Sequence, residues 1–342
     1  MARPRADSHS PLLQGIETTV ESRFAQTNIK IKRTSPLKIG IMAAGGVGAY
    51  YGGVLSEAGR DVWLIARGPN LEALKRDGLK ITSVGSGERV VKVQASSPTD
   101  AGVCDLILFC VKRYATKQAV QDMMPILGPD TIILVVQNGV DATERFQEEL
   151  PPEYRDNVLW GLTYIVSHME GSGAVNQKDG PRRIVFGEGA GGDSERGRRV
   201  HEALDVEGID SVFSEYVHRN LWNKFMFING LAGMTAVTHK TLGLLKSTPE
   251  AWALLNRVID EVEALGRASG IDLDGEREDV MGYLDRLGPD TRSSMAVDVL
   301  DGNRLEVDSL HGTVGRIGRE LGIETPACDF IYAVLKTQDP GE

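Results

Sequence analysis

The stretch LKIGIMAAGGVG, residues 37–48, decides how the chain is read. LKIGIM is a short apolar run with strand character, and AAGGVG is a turn built from small residues. Beyond it, Val47, Tyr50, Tyr51, Val54, Leu55 and Ala58 recur at helical spacing. Strand, tight glycine turn and helix together are the context of a dinucleotide-binding turn. The usual pattern is G-x-G-x-x-G, and here Ala43 takes the first glycine's place. Gly45 then lets the backbone approach a pyrophosphate, and Gly48 lets helix and strand pack closely. N–H groups at the helix N-terminus face the phosphates. Ala43 is expected to be a mild change, with φ staying below zero. Ala43, Ala44, Gly45, Gly46, Val47 and Gly48 form the expected cofactor turn. A plain βα turn rich in small residues is the alternative.

Outward from this turn the pattern repeats. Gly59 closes the helix and DVWLIA opens a second strand at Asp61. DLILFCV (105–111) and TIILVV (131–136) are continuous apolar runs, as in a parallel sheet covered by helices on both faces. NVLWGLTYIV and RRIVFGEG suggest strands in a region of mixed direction, and GEGAGGDSERGRR (187–199) reads as a mobile loop. The character changes near Tyr216. A helix is expected over 217–236, another from an N-cap at Thr248 and Pro249 toward Gly270, and a third, long and amphipathic, over 303–321. The fold class is α/β: a Rossmann-type doubly wound sheet over residues 37–215, then an all-helical region over 216–342, with a cleft between them. Residues 1–36 read as a disordered extension.

Composition narrows the function. Hydrophobic residues make up 41% and charged residues 25%, as in ordinary globular proteins. No stretch is apolar for long enough to span a bilayer, and no secretory signal core is present. The three cysteines and six histidines show no disulfide or metal-ligand spacing, so a reducing, cytoplasmic setting without a metal is expected. Net charge is −10; the first 36 residues carry +3, leaving −13 on the rest. An acidic body of this kind is not expected to bind nucleic acid or a membrane.

Arg67 lies 22 residues after Gly45, and no Asp or Glu occurs between Val62 and Leu71. An acidic residue near this place would take the ribose 2′-hydroxyl of NAD; an arginine suits the 2′-phosphate of NADP. NADP(H) is therefore the expected cofactor, and an isolated surface arginine is the alternative. Lys224 shares a helical stripe with Leu221, Ile228 and Leu231 or Ala232. It either snorkels to water or is held among these neighbours with a lowered pKa, fit to protonate a carbonyl oxygen. Glu306 is the polar residue of a second stripe with Leu310, Val314, Ile317 and Leu321, near a helix N-terminus that Asn303 would cap. A partly exposed first-turn glutamate is the plainer reading. Asn138, in QNGV after the TIILVV strand, stands where it can bond a substrate or the nicotinamide side, or simply make an Asn-Gly turn. Lys112 holds the equivalent place after DLILFCV.

The opening KIGIMAAGGVGAYYG, the arginine after the second strand, CVK, QNGV, LWNKF and SSMAVDVLDGNRLEVDSLHG together resemble the ketopantoate reductase (2-dehydropantoate 2-reductase) family, over about residues 37–336. The resemblance implies NADPH-dependent reduction of ketopantoate to pantoate in pantothenate biosynthesis, on a Rossmann domain followed by a helical one. It implies that Lys224 is the catalytic proton donor and that Glu306 orients the substrate and supports catalysis. It gives Ser294 and Asn138 to the substrate, Asn138 also to the nicotinamide ribose, and Arg67 and Lys112 to the NADP phosphate and ribose. Ile228 and Ala232 stand where ketopantoate-specific members carry asparagines; Asn229 is one residue late and points about 100° away. Reduction of another 2-oxo acid or ketone by the same machinery is the enzymatic alternative. A non-catalytic NADP(H)-binding sensor would need neither Lys224 nor Glu306. A homodimer is left open.

Overall fold

The computed structural model describes residues 36–341, so the expected N-terminal extension lies, apart from Pro36, outside the described residues. Among these, β1 (Lys38–Met42), β2 (Asp61–Ile65), β3 (Leu79–Ser83), β4 (Gly87–Val91), β5 (Gln94–Ser96), β6 (Leu106–Phe109), β7 (Ile132–Val135), β8 (Val158–Gly171), β9 (Ala174–Gly187) and β10 (Asp210–Phe213) build one sheet. Neighbours run β4-β3-β9-β8-β7-β6-β1-β2-β5. The block β8-β7-β6-β1-β2-β5 is parallel throughout. β8 and β9 then form a long antiparallel hairpin. β9 is long enough to serve two partners, β3 along its first residues and β10 along its last.

The central strands show why their sequences are apolar without alternation. Ile39, Ile41, Leu106, Leu108, Ile132 and Leu134 enter a core on one face, with Tyr50, Tyr51 and Leu55 of α1 (Gly46–Glu57). Ile107, Phe109, Ile133 and Val135 point the other way. There they meet Ala119, Val120 and Met123 of α4 (Thr116–Met123) and Phe146 of α5 (Ala142–Glu149). Successive strand residues face opposite sides, so a strand covered on both must be apolar at every position. The remaining helices of this half are α2 (Gly68–Asp77), α3 (Pro98–Ala101) and α6 (Glu195–Leu204). The expected loop over 187–199 is in part helix α6. Ser194 caps it by accepting the Gly197 N–H, and Glu188 holds both Ser194 and Arg196. Glycine content had masked a capping serine.

After Tyr216 the described chain is helical: α7 (Val217–Thr238), α8 (Leu242–Ser247), α9 (Pro249–Ala268), α10 (Glu276–Arg286), α11 (Ser294–Asp301), α12 (His311–Leu321) and α13 (Pro326–Lys336). α7 is the hub. Its buried Leu221, Trp222, Phe225, Met226 and Leu231 join one core with Leu255, Ile259, Val314 and Ile331. Each such side chain contributes about 1.5–3 kcal/mol on burial. The same core takes in Val140, Trp160, Leu162 and Val185 from the sheet side, which docks α7 on the sheet. Pro249 does open α9, but Thr248 does not cap it through its side chain; its Oγ1 donates back to Leu244 O at 2.9 Å.

Candidate active site

The pairs Met42–Ile65, Met42–Phe109 and Phe109–Val135 lie level in the sheet, so β1, β2, β6 and β7 end together. The chain leaves that edge through Ala43, Arg67, Lys112 and Asn138, each within three residues of a strand end. This is the edge where ligands of open α/β sheets bind. The glycine turn has the geometry the spacing implies. A Cβ on Gly45 would meet none of the described residues within 4 Å, whereas one on Gly48 would collide with the Ala43 carbonyl and Ile41. No side chain caps the N-terminus of α1, and its first turn has no acidic residue. These features fit a pyrophosphate. Ala43 departs from expectation: its φ is +74°, in the left-handed region. The turn needs that conformation whatever residue fills it, so the alanine methyl is a cost rather than a mild change. Asn70, which no motif marked, ties the turn down. Its Nδ2 donates to Ala44 O at 3.1 Å and its Oδ1 accepts from Gly173 N at 2.8 Å. Arg67 precedes α2, is largely exposed, and pairs with Asp122 of α4.

Lys224 does not snorkel. Its side chain is 7% exposed, and Nζ donates to Asn138 Oδ1 at 2.7 Å. Burial lowers its pKa to about 8, and the charge of Glu306 works in the opposite direction. A cavity of about 10 Å³, room for about one water, is lined by Gln137, Gly139, Leu162, Leu221, Lys224, Phe225 and Ile228. Gln137 Oε1 is buried without a partner among the described residues, while its Nε2 donates to Val111 O and Thr116 Oγ1. Ile228 therefore borders the lysine. Asn229 does not: it is fully buried and donates to Phe225 O at 2.8 Å.

Glu306 reaches the same edge by a route the periodicity did not show. Residues 303–321 are not one helix. Asn303 follows the end of α11, bonding Asp298, and caps nothing that follows. Val307–Ser309 form a single 3₁₀ turn after Glu306, and α12 starts only at His311. Leu305, Val307 and Leu310 are all buried. At 100° per residue a continuous helix would point Leu305 away from the other two, so the break is what buries all three. Glu306, 8% exposed, accepts from Lys112 Nζ at 2.8 Å and from Arg113 N at 3.4 Å. Asp298 lies 3.5 Å from the same Nζ. Burial alone would lower the Lys112 pKa, but Glu306 and Asp298 outweigh it and raise it. Ser294 opens α11 one turn before Asp298 and is exposed; the buried serine of the pair, Ser293, is the N-cap and meets Thr235 at 3.0 Å. Asp141, also missed, receives Arg113 Nη1 at 2.6 Å and Arg316 Nη2 at 2.8 Å, joining the QNGV loop to α12. The arrangement offers a lysine poised to give up a proton, an amide that aims it, and a carboxylate held by a second lysine.

The chain matches the family model described as ketopantoate reductase PanE/ApbA over residues 39–191, and that of its C-terminal region over residues 217–339. A PanE/ApbA family ketopantoate reductase crystal structure from Ralstonia eutropha JMP134 is 30% identical, with a TM-score of 0.79, over 88% of this chain and 97% of that one. The chain belongs to the PanE/ApbA ketopantoate reductase family. It is thus an oxidoreductase with the family's α/β-plus-helical fold. Among curated relatives, the uncharacterized oxidoreductase YkpB of Bacillus subtilis (strain 168) is 29% identical over 302 residues, 88% of this chain and 98% of its own. A 2-dehydropantoate 2-reductase of Streptococcus pyogenes serotype M1 is 27% identical over 306 residues, 87% of this chain and 97% of its own.

Proposed function

We propose that the protein reduces a small 2-oxo acid with NADPH, with 2-dehydropantoate, reduced to pantoate, as the reference substrate. The observation that carries this reading is Lys224: buried, lowered to a pKa of about 8, and bonded to Asn138 at the carboxyl edge of the sheet. Residues 37–215 serve as the cofactor-binding half and residues 216–342 as the half that completes the substrate site. When bound, NADPH supplies hydride to the carbonyl carbon. The turn Ala43–Gly48 holds its pyrophosphate, and Arg67 meets the 2′-phosphate, giving up Asp122 to do so. Lys224 Nζ delivers the proton to the carbonyl oxygen, so oxo acid, NADPH and one proton become hydroxy acid and NADP⁺. Asn138 keeps the ammonium aimed, while Glu306 and Ser294 hold the substrate, the former with Lys112 as its counter-ion.

Loss of NADPH absorbance with 2-dehydropantoate and a panel of 2-oxo acids tests the reading. Turnover with at least one of them is expected; none with any of them overturns it. A charge-assisted pair between Arg67 and a 2′-phosphate is worth roughly 1.5–3 kcal/mol, so NADPH should bind about 10- to 150-fold tighter than NADH. Arg67→Ala should weaken NADPH alone. Equal binding of both cofactors by the wild-type protein would refute the NADP assignment.

A further inference from the structure

Beside Lys224 the wall of the site is aromatic. Leu162 borders the lysine cavity, and Tyr164, two residues on along β8, faces the same side. The Lys224 ammonium lies 5.7 Å from the Tyr164 ring centroid. On α7, Phe227 and Ile228 are three and four residues from Lys224 and so flank it on the helix surface. Phe227 stands 6.5 Å from Tyr164 and 4.9 Å from Tyr283 of α10, and Tyr164 and Tyr283 are 6.2 Å apart. Tyr164, Phe227, Ile228 and Tyr283 are all only partly buried, so part of this wall is open to solvent.

A chain of bonds runs from Tyr164 to Glu276 behind this wall. Tyr164 OH donates to Asn223 Oδ1 at 3.4 Å, Asn223 Nδ2 donates to Glu276 Oε2 at 2.5 Å, and Arg219 pairs with Glu276. The long Tyr164–Asn223 bond draws the phenol proton away from Lys224, leaving ring faces and Ile228 near the Lys224 ammonium. Such a surface gains from apolar contact and offers a substrate hydroxyl a poor exchange for water.

We infer, on the basis of the reductase reading above, that the substrate's side chain lies against Tyr164, Phe227 and Ile228, and that the site takes 2-oxo acids with an apolar, above all aromatic, side chain in preference to hydroxylated ones. The test compares kcat/KM for phenylpyruvate, 2-dehydropantoate and pyruvate in the wild type and in Tyr164→Phe, Tyr164→Leu and Phe227→Leu, with NADPH affinity measured for each to report the folded state. The wild type should favour phenylpyruvate. Tyr164→Leu and Phe227→Leu should each lower the phenylpyruvate-to-pyruvate ratio about 10-fold, the scale of one lost aromatic contact, while Tyr164→Phe keeps it. Preference for 2-dehydropantoate, or leucine variants that slow all three substrates equally, would overturn the inference and leave the reductase reading standing. No reduction of any 2-oxo acid would overturn both.

Discussion

Lys224 is a cation buried beside Leu221, Phe225 and Ile228, with one amide oxygen as its bonded partner. Desolvation favours its neutral form, which brings the pKa down to about 8. A general acid must be protonated, so kcat/KM should hold steady below that pH and fall as pH rises through it. Because the Glu306 charge raises this pKa, Glu306→Gln should move the break to lower pH. A break unmoved by that change would show that another group titrates. Lys224→Ala should lower kcat by about 10²-fold or more with NADPH affinity unchanged. A near-normal kcat would remove Lys224 from the chemistry. At Ala43 the issue is conformation. An alanine at φ +74° carries about 1 kcal/mol of strain that glycine does not. Ala43→Gly should therefore raise the stability to urea by up to about 1 kcal/mol, the added freedom of the unfolded chain offsetting part of the gain. An unchanged or lower midpoint would mean that the surrounding turn, held by Asn70, already absorbs the strain.

At the scale of elements, periodicity located what lies inside one helix or strand and failed at the joints. The first turns of α7, where Leu221 and Lys224 are buried, were legible because one helix keeps one phase; from Asn229 to Ala236 every residue is buried and no stripe remains. The 303–310 break was not, because Leu305, Val307 and Leu310 satisfy the core only through a turn whose shape depends on what they pack against. A similar joint holds α13. Glu261, on α9 and 8% exposed, accepts the N–H groups of Ala327 and Cys328 at 2.9 and 3.0 Å, and so caps a helix 66 residues away. Removing it leaves two buried donors unsatisfied. Glu261→Ala should cost about 1–3 kcal/mol in unfolding free energy, with faster hydrogen exchange in the first turn of α13. Unaltered exchange there would show the cap to be dispensable.

Across the whole molecule, Asp141 is the joint between the QNGV loop and the helical half. Its carboxylate, 6% exposed, holds Arg113 on one oxygen and Arg316 on the other. Burial pushes its pKa up, but the arginines more than offset that and hold it below the usual range. Its contribution is therefore full above the unfolded pKa of about 4 and is lost progressively as pH falls through the lower folded value. Asp141→Asn should cost roughly 2–3 kcal/mol at pH 7, since it leaves partly buried arginines without their charge partner, and the cost should shrink as pH is lowered through the folded pKa. A cost that stays the same once the Asp141 carboxyl is protonated would assign the effect to packing.

By itself the sequence determined the strands buried on both faces, the glycine turn, the change to helix near Tyr216 and the placing of Lys224 on an apolar helical face. Each is a short-range pattern set by side-chain direction along one element. Only the tertiary structure decided that Lys224 meets Asn138 across 86 residues, that Glu306 meets Lys112 across 194, and that Arg316 meets Asp141 across 175. Those contacts depend on which strand ends lie level in the sheet and how α7 docks on it, and neither leaves a local period in the chain. The positive φ of Ala43 belongs with them: the spacing marked where a glycine belongs, while the backbone path between β1 and α1 imposed the conformation on the alanine found there.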